Sequence, residues 1–134
     1  MTNKLGHFKE ESATTKIHEY LSQLPSVSFK DANKEPVIGY YKEKQRKFAI
    51  LHGGSLQSLI LHVDPGHPIS TIGKQKQIEA QERLGFDIRK IRGHKLKQHE
   101  TYIPLEKLES DNPILRIEDL INYAYHKQDK LKDS

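Results

Sequence analysis

Eleven consecutive residues, 89–99, read Arg-Lys-Ile-Arg-Gly-His-Lys-Leu-Lys-Gln-His. Five are Lys or Arg, two are His and none is acidic. Guanidinium and ammonium groups at this density attract polyanions, and phosphate backbones are the commonest of those in a cell. Contacts of Lys and Arg to phosphate oxygens hold a protein on a duplex without reading its sequence. An Arg or Lys that reaches a guanine edge adds selectivity. A second group of cations, Lys42, Lys44, Arg46 and Lys47, surrounds Glu43. The predicted nucleic-acid contacts are therefore Arg89, Lys90, Arg92, His94, Lys95, Lys97 and His99, extended by Lys42, Lys44, Arg46 and Lys47 if both turns share one end of a sheet. The plainer reading of the same residues is a solvated hairpin whose charges protect an edge strand.

The net charge of +4 hides this asymmetry. Residues 1–36 hold five Lys and five acids, residues 37–107 hold thirteen Lys/Arg and seven acids, and residues 108–134 hold four and six. The cationic part is the middle of the chain.

Other candidate chemistries are weaker. His62, Asp64 and His67 have a spacing that can ligate a transition metal, but no third strong ligand follows from the sequence. Hydrogen-bonded or surface imidazoles are the expectation, and no metal or cofactor is predicted. His94 and His99 gain charge below about pH 6.5, so polyanion binding should tighten in mild acid. Gly53-Gly54-Ser55 lacks the Lys-Ser/Thr of a phosphate loop and precedes a strand pattern, so it reads as a turn. No Gly-x-Ser-x-Gly or His-Glu-x-x-His is present, and Glu79, Glu82, Glu106 and Glu109 read as exposed charges. No catalytic residues are assigned, and the chain is expected not to be an enzyme. Tyr40 and Tyr41 adjoin the cationic strand. An exposed aromatic beside cations can stack a base, yet strand neighbours face opposite ways, so one of the pair belongs to the core.

These residues need elements to position them. Residues 1–11 are polar, unpatterned and expected to be loose, ahead of a single domain over 12–134. Ile17, Tyr20, Leu21 and Leu24 form one helical stripe, with Ser12 or Thr14 as the predicted cap and Pro25 as the stop. The period then changes to two. Strands are predicted at Val27–Phe29, Val37–Lys42, Lys47–His52 and Leu56–Val63, with turns at 31–36, 43–46, 53–54 and 64–66. A thinly apolar helix over Gly73–Leu84, stopped by Gly85, should lie on the rim. Strands near Asp87–Gly93 and His99–Leu105 follow. A last helix carries Ile117, Leu120, Ile121, Ala124 and Leu131 on one face.

The order α-β(3–4)-α-β(2)-α predicts an α+β fold in two layers, an antiparallel sheet with helices on one face. The other face is expected to meet water or a partner. The chain has no cysteine, no run near the roughly 20 apolar residues that span a bilayer, and no secretory pattern at its start. A cytoplasmic address is expected, for a monomer or homodimer.

Several short motifs, in order and spacing, resemble the MmcQ/YjbR family of small bacterial proteins. They are Leu24-Pro25 at the helix end, Arg46-Lys47-Phe48-Ala49, Leu61-His62-Val63-Asp64-Pro65, the His-x-x-Lys-x-His of His94 to His99, and Tyr125. The resemblance spans about residues 14 to 131. Three positions depart from the family pattern: His62 stands for a usual Lys, Glu100 for a usual Trp and Ala124 for a usual Ser. The resemblance implies a two-layer α/β unit of the same element order, and the family's usual label is DNA-binding. The predicted function is DNA-backbone binding through 89–99. The alternative is a protein-interaction or chaperone-like module that grips extended partners on the open sheet face.

Overall fold

The helical stripe that begins the domain winds as α1 (Glu11–Gln23) and buries Ala13, Ile17 and Leu21. This computed structural model describes residues 11–31, 36–43, 46–53, 57–63, 71–87, 90, 100–109 and 111–133. The strand segments that follow are β1 (Val27–Asp31), β2 (Val37–Lys42), β3 (Arg46–His52) and β4 (Ser58–His62). Then come α2 (Thr71–Leu84), β5 (Glu100–Pro104), a 3-10 turn at Leu105–Lys107 and α3 (Glu118–Asp133).

The five strands form one antiparallel sheet in sequence order. Direct partners across an antiparallel ladder share a face. Ile38, Leu51, Leu59 and Ile103 line up on one row, and Tyr40, Ala49 and Leu61 on another. All seven are fully buried and belong to one core with Ile17 and Leu21 of α1 and Leu120, Ile121 and Ala124 of α3. The fold is thus α+β, with the helices packed on this inner face. A bulge shifts the β2–β3 register between Tyr40 and Tyr41. It lets Phe48 join Ala49 in the core while Lys47 pairs with Tyr41 on the outer face.

The outer face is not uniformly open. Around β4 and β5, Ser58, Ile60 and Tyr102 are buried. Around β2 and β3, Val37, Tyr41, Ile50 and His52 are only half-buried. The sequence expectation of a solvent-facing side therefore applies to the β1–β3 half.

Helix α2 explains how β5 ends the sheet. Its inward positions are Gly73, Gln77, Ala80 and Leu84, whereas Ile78 faces outward, 45% exposed. Buried Gln77 donates from Nε2 to the Tyr102 carbonyl at 3.1 Å, and its Oε1 accepts from the Tyr102 N–H at 2.7 Å. One side-chain amide completes the outer ladder position of the edge strand, where unpaired backbone would otherwise lie buried. Gly85 stops α2 with φ +74, the left-handed conformation that glycine adopts without a Cβ penalty, and donates to Gln81 O at 2.8 Å.

Some boundaries differ from expectation. Glu11 opens α1, so Ser12 and Thr14 lie inside the first turn and neither precedes the helix. Thr71 opens α2 two residues before Gly73. Asp87 belongs to no strand, and Lys90 donates its N–H to Asp87 O at 3.0 Å in a turn. The rest of the expected strand at 87–93, residues 1–10, Asp64, Pro65 and Gly66, and the Leu131 side chain lie outside the described residues.

Candidate nucleic-acid interface

Of the eleven predicted contacts, Arg89, Arg92, His94, Lys95, Lys97, His99 and Lys44 lie outside the described residues. Arg46 is described in its backbone alone, as the register partner of Lys42. Lys90 is exposed. It borders an open depression of about 540 Å³ whose lining includes Lys107, Asp87 and Glu106, two acids against two cations.

Lys42 corrects the sequence reading. It was expected to project toward phosphates, but it is 8% exposed and points to the helix layer. Its Nζ sits 3.8 Å from the centroid of the Tyr125 ring and donates to the Tyr125 carbonyl oxygen at 3.4 Å. The alternation of β2 is the cause. Lys42 follows Ile38 and Tyr40 by even steps, so it inherits their inner face. The aromatic face and the carbonyl are the groups that receive the lysine end there.

Lys47 lies on the opposite side. It is half-buried on the outer face, its Nζ 5.9 Å from the centroid of the Tyr41 ring. Tyr40 is the core member of the tyrosine pair, fully buried, with its hydroxyl 2.7 Å from Nδ1 of buried His18. Tyr41 is the outer member. Between Tyr41 and Lys30 on this face sits Gly39, the register partner of Lys30. A Cβ on Gly39 would stand 3.2 Å from Tyr41 Cε1 and 3.3 Å from Lys47 Cδ. The missing side chain therefore lets the tyrosine ring and the lysine stem lie close over the sheet. Lys30 was not among the predicted contacts. The alternation of Ser28 and Lys30 against Val27 and Phe29 is the signal that places it there.

Three cations elsewhere, Arg83, Lys76 and Arg116, have carboxylate partners. Arg83 of α2 makes a two-pronged bond to Asp119 of α3, at 2.6 and 2.8 Å. That hydrogen bond, and then the negative charge of Asp119 and Glu79, raise the arginine pKa, against desolvation. Lys76 meets Glu79 at 3.2 Å, and Arg116 meets Glu109 at 3.9 Å. These three cations of the α2–α3 flank are thus neutralised locally.

His62 and Glu100 are direct cross-strand partners, with Nε2 and Oε2 3.1 Å apart and side chains 13% and 10% exposed. Burial pushes the neighbouring Tyr102 phenol above its ordinary value. Among the described residues, no cluster of three or more His, Cys, Asp or Glu is placed to hold a metal ion. His67, the other half of the sequence's metal spacing, lies outside them. Among the described residues, no helix is long and apolar enough to cross a membrane. No family model matches the chain, and no curated protein or solved structure matches it.

Proposed function

We propose that this chain is a small non-enzymatic nucleic-acid-binding protein of the MmcQ/YjbR type, acting in the cytoplasm and contacting phosphate backbone through residues 89–99. The observation that carries the reading is the run of five Lys/Arg and two His without an acid. Two features of the fold support it. Arg83, Arg116 and Lys76 of the α2–α3 flank are matched by Asp119, Glu109 and Glu79 and are not offered to phosphates. Lys47 adds a cation on the outer face of β3, where Lys42 does not.

The test is fluorescence anisotropy with a labelled duplex. Replacing Arg92, Lys95 and Lys97 together by Glu abolishes binding while leaving the thermal melt in place. Full-strength binding by that triple variant rejects the reading.

A protein partner is the second reading, and one observation favours it. Phe29 is 41% exposed on β1, an edge strand of the sheet. An extended partner segment that pairs with β1 has an apolar anchor there. Capture of one acidic partner together with indifference to DNA would select this reading over the first.

A further inference from the structure

We infer that the β1–β3 half of the outer sheet face is a platform for single-stranded nucleic acid, with a base stacked on Tyr41 and its flanking phosphates on Lys47 and Lys30. The inference rests on the nucleic-acid reading and adds to it the form of the ligand and a stacking residue.

Five observations converge on it. Strand parity separates the adjacent tyrosines. Tyr40 is spent in the core against His18, whereas Tyr41 stands half-buried on the outer face. Gly39 is buried beneath that ring, with Tyr41 Cε1 and Lys47 Cδ within 3.3 Å of where a Cβ would be, so the missing side chain lets the ring lie close over the sheet. The bulge after Tyr40 turns Lys47 outward beside Tyr41, its ammonium 5.9 Å from the ring centroid. Lys30, exposed, is on the same face opposite Gly39. Among the described residues, the outer-face positions of β1 to β3 include no carboxylate.

An aromatic face flanked by ammonium groups fits a base flanked by phosphates. Every base offers a π-face, so such stacking tolerates any sequence, and the cations follow the backbone. A duplex keeps its bases stacked on one another and inaccessible to a ring on a sheet. Single strands present them freely. Charge complementarity commits the surface to a polyanion, and the tyrosine commits it to one with exposed bases.

The experiment compares three labelled probes by anisotropy at about 50 mM salt: an oligo(dT) about twelve nucleotides long, an abasic oligomer of the same backbone, and a duplex of matching length. The wild-type protein binds oligo(dT) more tightly than the abasic strand. Tyr41→Leu keeps apolar bulk but lacks the aromatic face, and it weakens oligo(dT) binding by about five- to a hundred-fold. Its affinity for the abasic strand and the duplex is unchanged. Tyr41→Phe retains wild-type affinity. Lys47→Gln lowers the salt slope for oligo(dT) by about 0.7. Gly39→Ala displaces the ring without removing it and weakens oligo(dT) binding in the same direction, which provides a test should Tyr41→Leu not fold. Equal binding of oligo(dT) and the abasic strand by the wild type overturns the inference. So does undiminished oligo(dT) binding by both Tyr41→Leu and Gly39→Ala. If duplex binding persists in that case, stacking has failed while the nucleic-acid reading stands. If the wild type binds none of the three probes, both have failed.

Discussion

The Lys42 ammonium lies over the ring of Tyr125, 3.8 Å from its centroid, and so ties the β2 strand to the last helix across 83 residues of chain. The same tyrosine donates its hydroxyl to Pro25 O at 2.5 Å and meets the Phe48 ring edge-on at 5.5 Å. One side chain therefore joins the end of α1, two strands and α3. Lysine at 42 belongs to this tie and not to the phosphate surface. Lys42→Met should lower stability by about 2 kcal/mol, the scale of a desolvated cation–π contact. It should leave the salt dependence of nucleic-acid binding unchanged. Urea unfolding and salt-titrated anisotropy measure the two effects. A salt slope shallower by about 0.9 would instead make Lys42 a phosphate contact.

Gln77 holds the β5 edge through both groups of its amide. Gln77→Ala leaves the N–H and C=O of Tyr102 without these partners in a buried setting, at about 1–3 kcal/mol for an orphaned group. The urea midpoint should fall with no change in m-value. A loss below about 0.5 kcal/mol would mean that water or another group replaces the amide without cost.

The Arg83–Asp119 bond makes a pH-dependent contribution. The hydrogen bond from Arg83 is the main cause of a lowered Asp119 pKa. Burial opposes it, and the guanidinium charge and the backbone N–H groups of Leu120 and Asp119 add to it. Because the folded value is lower than the unfolded one of about 3.9, the stabilisation is present above about pH 4 and is lost as pH falls through the folded value. Both side chains are substantially exposed, so its size is about 0.5 kcal/mol. Asp119→Asn should be less stable than wild type at neutral pH and converge with it in strong acid. A gap independent of pH would assign the loss to something other than this ion pair.

Much of the scaffold was legible because its signals are local. Val37–Lys42 is rich in Val, Ile and Tyr, as strands are, and matches β2 at both ends. Ile17 and Leu21, and Ile117, Leu120, Ile121 and Ala124, are helical stripes that meet in one core. Gly85 marked the end of α2 by the conformation it adopts. Helix α2 itself was harder to read, because its inward face uses Gly73 and Gln77 where a stripe has large apolar residues, while Ile78 faces outward. The candidate site was legible as composition but not as geometry. A count of cations assigns Lys42 and Lys47 the same role, whereas even steps from Tyr40 carry Lys42 inward and the bulge carries Lys47 outward. A bulge depends on pairing between strands, and no single strand's sequence announces it. The pairing of His62 with Glu100 was hidden for the same reason, since it follows from the β4–β5 register.

The central claim is that the cations of 89–99 act on phosphates, and the salt dependence of duplex binding tests it most directly. Four phosphate contacts give a log–log slope of about −3.6 for the wild-type protein. The triple replacement of Arg92, Lys95 and Lys97 by Glu abolishes the binding. No binding at about 50 mM salt, or a slope near zero, would contradict the account.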